Sequence, residues 1–414
     1  MSIFVQIAAY RDTELGPTVR DCLAKAKRPE ELRFGICLQD DLGSCYDLDF
    51  SDPRFRLIHV HWRESQGVCW ARHQAFSLYE GEDFLLQIDS HHRFAEHWDE
   101  LLLKDIEYCE ASKPVLSTYP GSYDPETGRC ALKVPNKILV SRFDHNGCIK
   151  RYPLGFKAKN NRRPIPARFV AAGFLFTLGQ FCEDIPYDPE MYFAGEEPSL
   201  TLRSYTHGYD IFHPQQNILW HEYVRESKPK HWLDHTQSGN ESTDKITESE
   251  PSDMDRFYRM LDRNGRSKLS LGSVRSVHDY ERFAGLDLSN RVVHQEARLG
   301  MDPITISEKE WQANNEIATT ERQRFKYWFT KIDFSDCLCA LRKAKVGILT
   351  YYDRDNQMID RVTIKRGAIS DIGIFEQELE SSAPPSFWIL TGFTQNNSWE
   401  QIRSGRILDY RLMA

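Results

Sequence analysis

The chain has 414 residues, enough for one large domain with a smaller companion, and 40% hydrophobic and 12% aromatic content suits a globular protein with a sizeable core. Its formal net charge of −8 argues against a general nucleic-acid binder, which needs clustered Lys and Arg, but leaves room for a local basic site facing a small phosphate ligand. No apolar run approaches the roughly eighteen residues needed to span a bilayer.

The opening MSIFVQIAAYRD has neither the basic region nor the long apolar stretch of a secretory leader, so none is expected. Ile3, Val5 and Ile7 alternate in a short strand that ends in the turn Tyr10-Arg11-Asp12. A helix is predicted after Gly16-Pro17, with Val19, Cys22, Leu23 and Ala26 on one stripe. A second strand runs from Leu32 to Leu38 into Gln39-Asp40-Asp41, and a third from Arg56 to Val60. A loop from Trp62 to Gly67 leads to a helix from about Val68 to Leu78, and a very apolar fourth strand, Asp83 to Ile88, stops at Asp89. This alternation predicts an α/β fold: a mostly parallel, Rossmann-type sheet with helices on both faces. Ligands of such sheets lie beyond the carboxyl ends of the strands, which would gather Asp12, Asp40, Arg63 and Asp89 at one edge.

Residues 113–225 read as further strands and loops with a helix from about Glu197 to Thr206, and residues 225–255 as a polar exposed loop or lid. A helical patch around Met254 to Asn264 and the segment Val277 to Phe283 are expected to pack on the first domain. After Pro303 the texture changes. Residues 306–331 read as helix, and VGILTYYD, MIDRVTIK, SFWILTGF and RILDYRL as strands of a small β-rich module. The expected division is a catalytic domain at 1–300, a helical linker at 301–335 and the β-rich domain at 336–414. The ten cysteines, among them Cys22, Cys37, Cys45, Cys69 and Cys148, are scattered, and Cys337 and Cys339 are not spaced as CxxC. Free thiols in a reducing compartment, the cytoplasm, follow as the expectation.

The strongest chemical signal is the run from Phe84 to Phe94, an apolar strand that delivers Asp89-Ser90-His91. Residues two apart on extended backbone point the same way, so Asp89 and His91 could grip one cation. A carboxylate with an imidazole suits Mn²⁺, or Mg²⁺ as the alternative, and such an ion would screen a diphosphate leaving group. An isolated Asp-x-His is a weak signal, because strand ends often carry Asp for turn reasons.

Four stretches together resemble the GT-A-fold glycosyltransferases that transfer N-acetylglucosamine (GlcNAc) from UDP-GlcNAc to protein hydroxyls, with a more distant likeness to polypeptide N-acetylgalactosaminyltransferases. They are Ile7 to Asp12, Trp62 to Arg72, the triplet Asp89-Ser90-His91, and Tyr187 to Glu197, within residues 1 to 290 or so. The resemblance implies a metal held by Asp89, His91 and His221, with His213 the alternative third ligand. It places Tyr10, Arg11, Arg63, Gly67, Arg72 and Ser90 at the nucleotide sugar, arginine being suited to phosphate by its planar fork of donors. Gly67 would let the backbone pass close to the donor. Glu196 and Glu197 are the implied catalytic-site residues, although acidic residues opening a helix also serve its dipole. The implied reaction is retaining transfer from a UDP-sugar donor to a hydroxyl of a protein or glycan acceptor. The rivals are another donor such as UDP-GalNAc, a sugar-binding or scaffolding protein without turnover, and a tail that itself binds carbohydrate or a partner.

Overall fold

The computed structural model describes residues 1–41, 43, 46–131, 134–156, 163–225, 228–235, 245–262, 269–324, 326–343, 346–364, 374–393, 399–407 and 410–412. Cys45, Asn264, Lys365, Leu408, Asp409 and parts of the 225–255 segment (226–227 and 236–244) lie outside the described residues. The chain divides into two compact units, Met1–Gln312 and Ala313–Ala414.

The first unit opens with β1 (Ile3–Tyr10), α1 (Leu15–Lys25), β2 (Leu32–Gln39), β3 (Phe55–Val60), α2 (Val68–Phe76), β4 (Phe84–Asp89), β5 (His92–Phe94) and α3 (Trp98–Tyr108). It continues with β6 (Pro114–Ser117), β7 (Gly121–Ser122), β8 (Asn136–Phe143), β9 (Ile149–Gly155), β10 (Ile165–Pro166) and β11 (Phe174–Leu178). Then come α4 (Phe181–Asp184), α5 (Glu196–Thr206), β12 (Asp210–His213) and β13 (Leu219–His221). The rest is α6 (His231–Asp234), α7 (Lys245–Asp262), α8 (Val277–Ala284), β14 (Leu286–Asp287), β15 (Val292–Val293) and α9 (Gln295–Arg298).

Eight of these strands form one mixed sheet in the order β10-β12-β6-β11-β4-β1-β2-β3. The β1–β2, β2–β3 and β1–β4 pairs are parallel, whereas β11 runs antiparallel to both β4 and β6. The result is the expected GT-A-like architecture of a large mixed sheet flanked by helices. β1 reads as an almost continuous apolar run because both its faces are covered. Ile3, Val5 and Ile7 join Val19 and Cys22 of α1 and Trp98 and Leu102 of α3 in one core, while Phe4 and Leu85 face Cys69 and Phe76 of α2 in another. A fully buried side chain such as Phe34 contributes on the order of 2–3 kcal/mol. After β3 the chain crosses to the far side of β1 to make β4, so the strand order reverses at β1. The crevice beyond the carboxyl ends of these two strands is where open α/β sheets bind ligands.

The segment expected as a loop at 225–255 carries α6 and the start of α7. Its helical signal is sparse: Met254 and Phe257 are buried and Tyr258 and Leu261 pack beside them, an i, i+3, i+4, i+7 stripe inside a charged sequence. Residues 301–312 belong to the first unit, where Trp311 Nε1 donates to the Leu286 carbonyl at 3.1 Å and Arg168 to that of Met301 at 2.6 Å.

α10 (Glu308–Arg324) spans the division, and the second unit continues with β16 (Lys326–Asp333), α11 (Leu338–Lys343), β17 (Val346–Tyr352) and β18 (Met358–Ile364). It ends with β19 (Ile374–Ser381), β20 (Phe387–Phe393), β21 (Trp399–Arg406) and β22 (Tyr410–Leu412). Antiparallel sheets β19-β16-β22 and β18-β17-β20-β21 contribute to one core around Trp328, Leu349, Tyr351, Leu379, Trp388 and Leu390. The helix expected over 306–331 therefore stops early, and Lys326 to Asp333 is a central strand. β19 and β21 escaped notice because charged residues alternate with their few apolar ones. No helix among the described residues is long and apolar enough to cross a membrane.

Candidate active site

Asp89 is the last residue of β4, paired in register with Ala8 of β1. The chain turns at Ser90-His91 and returns as β5, which pairs antiparallel with β13 so that His221 lies opposite His92. This small pairing brings together residues some 130 positions apart in sequence. The rings of His91 and His221 are 4.6 Å apart between centroids, and His221 Nε2 lies 3.1 Å from Asp89 Oδ2. Asp89, His91 and His221 each offer one ligand atom, all within 4.8 Å of one another.

Asp12, just past β1 and 1% exposed, accepts hydrogen bonds from His91 Nδ1 at 2.7 Å and Ser90 Oγ at 2.6 Å. That contact fixes the His91 tautomer and leaves Nε2 as its free nitrogen. Burial and the neighbouring His221 push the His91 pKa down to about 4 against the pull of Asp12, so the ring is neutral at neutral pH, as a metal ligand must be. Burial works against an ionised Asp12, but the His91 hydrogen bond and the Arg225 guanidinium hold its carboxyl below the usual range. Burial opposes ionisation of Asp89 too, and His221 and Arg72 outweigh it.

Asp89 is braced from below. Arg72 of α2, 1% exposed, donates to Asp89 Oδ1 at 2.6 Å and approaches Glu196 Oε1 at 3.0 Å. From β11's side, a Cβ added at Gly173 would come within 2.8 Å of Asp89 Oδ2, so only glycine leaves the carboxylate its place. One carboxylate and two imidazoles suit Mn²⁺ better than Mg²⁺, which favours an all-oxygen shell. A guanidinium nitrogen of Arg225 sits 3.4 Å from His91 Nε2, putting a positive charge against the donor set. By ligand chemistry and tautomer, Asp89, His91 and His221 fit a divalent cation.

The model of the glycosyltransferase (GlcNAc) family matches residues 2–49 and 43–290, a span that contains every residue of this site. The chain belongs to that family. Among solved structures it is similar to GalNAc-T7 with UDP, GalNAc and Mn²⁺, at 16% identity and TM-score 0.44, covering 68% of this chain and 54% of that one. It is similar also to S. aureus TarS 1-349 in complex with UDP-GlcNAc, at 14% identity and TM-score 0.37, covering 56% and 60%. The chain thus spans about half the length of the first and three-fifths of the second. No curated protein matches it.

In this member of the GlcNAc glycosyltransferase family several side chains expected at the nucleotide sugar are committed elsewhere. Arg72 is buried beneath Asp89 and braces it. Ser90 turns to Asp12. Gly67, at φ +107°, has a close neighbour: an added Cβ would lie 2.6 Å from the Tyr192 ring, so packing alone already requires glycine there. Glu197 accepts from the Ala172 amide at 3.0 Å and the Tyr119 hydroxyl at 3.0 Å, and pairs with Arg151 at 2.9 Å, so it is part of the framework. Glu196 is buried against Arg72, and burial raises its pKa to about 7 although Arg72 pulls the other way. Both glutamates are thus held by protein partners, Glu196 by Arg72 and Glu197 by Arg151 and Tyr119.

Tyr10 and Arg11, at the carboxyl end of β1, both donate to the carboxylate of Asp234 on α6, at 2.9 and 3.0 Å. Arg11 and the exposed Arg63 each stack on the Trp62 ring, at 4.5 and 4.4 Å. His213 is excluded as a ligand because both its nitrogens are used: Nδ1 lies 2.8 Å from the Ser117 carbonyl, and Nε2 accepts from the Ile138 amide at 3.1 Å. Sequence reading missed Arg225, Gly173 and Asp234. Only Arg225, four residues after His221, carried a legible hint. A cleft of about 1130 Å³ opens beside Arg225, lined also by Glu14, Tyr123, Glu222, Tyr223 and Lys228.

Proposed function

We propose that this protein is a metal-dependent, retaining glycosyltransferase that moves GlcNAc from UDP-GlcNAc to a hydroxyl of a protein or glycan. The observation that carries the reading is the convergence of Asp89, His91 and His221 at the strand-order reversal of a family member. Asp89 and the two histidines would hold Mn²⁺, which when bound screens the diphosphate and stabilises the departing UDP. Asp12 orients His91, and Arg72 with Gly173 positions Asp89. Tyr10, Arg11 and Arg63 are left to meet the nucleotide. A retaining transfer in which the leaving phosphate takes the acceptor's proton needs no enzyme base, which accords with Glu196 and Glu197 being held by protein partners. The nine described cysteines are all unpaired and seven are buried, in keeping with a reducing compartment such as the cytoplasm.

The test is UDP release from a panel of UDP-sugars, with and without divalent metal. UDP-GlcNAc with Mn²⁺ is expected to give the fastest release, and chelation to abolish it. Asp89→Ala is expected to lower turnover by about 10²-fold or more with the far-ultraviolet circular dichroism unchanged. Full turnover by metal-free protein in excess chelator overturns the metal reading. Faster release from another UDP-sugar reassigns the donor, and none from any leaves a sugar-binding protein without turnover.

A further inference from the structure

Arg225 has an unusual set of neighbours. One terminal nitrogen lies 3.4 Å from His91 Nε2, the nitrogen that Asp12 leaves free, and the other lies 2.9 Å from Asp12 Oδ2. Its Nε is 3.5 Å from Glu222 Oε2. Both Nε and Nη2 are buried without an aligned hydrogen-bond acceptor, so besides the long contact to His91 it is charge that holds the guanidinium. Glu222 already has a closer cation in Lys228, at 2.7 Å. The cleft that Arg225 lines gives it room to leave.

We infer that Arg225 is a surrogate cation, which a divalent metal displaces from the Asp12–His91 pair and which then binds the diphosphate of the donor. This rests on the metal reading above and adds to it a coupling between two ligands. A guanidinium and a divalent ion cannot share His91 Nε2, because in a buried setting the like charges repel strongly. Metal arriving alone must therefore expel Arg225 with nothing to receive it. A diphosphate supplies an acceptor whose oxygens match the guanidinium fork. Metal and diphosphate each make room for the other, and linkage makes the benefit reciprocal. Arg225 is on this account a positioning residue.

The test is Mn²⁺ binding, followed by the loss of the free-ion electron paramagnetic resonance signal, in the full-length protein. The wild type is expected to bind Mn²⁺ weakly alone and about 10-fold or more tightly with UDP, the usual range of such coupling. Inorganic pyrophosphate should reproduce the UDP effect, and uridine should not. Arg225→Gln is expected to bind Mn²⁺ alone more tightly than wild type and to lose most of the enhancement, while Arg225→Lys, which keeps the charge but not the fork, should retain only part of it. Equal Mn²⁺ affinity in wild type and Arg225→Gln overturns the inference. Should Arg225→Gln fail to fold, enhancement by uridine equal to that by pyrophosphate in wild type overturns it as well. Asp89→Ala separates the two levels: if it binds Mn²⁺ as wild type does, the metal site itself falls, and the inference with it.

Discussion

At the scale of single residues, Asp105 of α3 shows how burial without a partner reads out in solution. It is 4% exposed, its Oδ2 has no hydrogen-bond partner, and burial raises its pKa from 3.8 to about 7. The folded protein therefore keeps this proton through a range in which the unfolded chain has lost it. Stability is full below about pH 4, falls as pH rises towards 7, and levels off above. The shift alone is worth up to about 4 kcal/mol at pH 8, from which the cost of a buried amide is subtracted in Asp105→Asn. That variant should melt above wild type at pH 8 and lose the advantage at pH 4. Parallel pH–stability curves for the two proteins would show the reading of Asp105 to be wrong. Sequence marked Asp89 and His91 because an apolar strand ends in them. It could not mark Asp105, which is one acidic residue among several on an amphipathic helix.

Among the elements, α6 is the one that local sequence supports least. It has four residues and no side-chain cap, so propensity contributes little. Tertiary contacts hold it instead: Asp234 to Tyr10 and Arg11, and His231 Nδ1 at 2.9 Å from the Tyr192 hydroxyl. Asp234→Ala removes a part-exposed pair worth about 0–1 kcal/mol, so the melting temperature should hardly move. The segment should nevertheless open more often, and trypsin should cleave after Lys230 several-fold faster than in wild type. Unchanged cleavage would mean that the histidine contacts alone hold α6. By contrast α1, α2 and α5 were legible to within a residue or two: α1 and α2 bury apolar side chains against the sheet, and α5 is buried on nearly all sides. β16 was misread as helix because a short aromatic run has no period long enough to separate the two states.

For the whole molecule, the division at Gln312 sets where the chain can be cut. Ending it at Leu299 would remove the Trp311 and Met301 contacts that close the first unit. A chain ending at Gln312 keeps them and all of the proposed metal and donor site. It is expected to be soluble, to melt cooperatively and to release UDP from donor at a rate within a few-fold of the full chain. A folded truncate that neither binds UDP nor releases it would assign part of the donor site to residues 313–414.

What the sequence determined by itself was the alternation of strand and helix up to β4, the placing of Asp89 at a strand's carboxyl end, and a family likeness spread over four stretches. These are local properties: hydrophobic period, strand length and short motifs survive in one dimension. The tertiary structure decided the partners. Antiparallel pairing of β13 with β5 brings His221 to Asp89 and His91, and the hydrogen bonds to both His213 nitrogens remove that residue from consideration. Arg72, Glu196, Glu197 and Ser90 read as site residues by motif, and the fold decides which partners hold them: Asp89 and Glu196 for Arg72, Asp12 for Ser90, and Arg151 for Glu197. A buried charge must find its counter-charge within the fold, and sequence spacing does not say which one it will be.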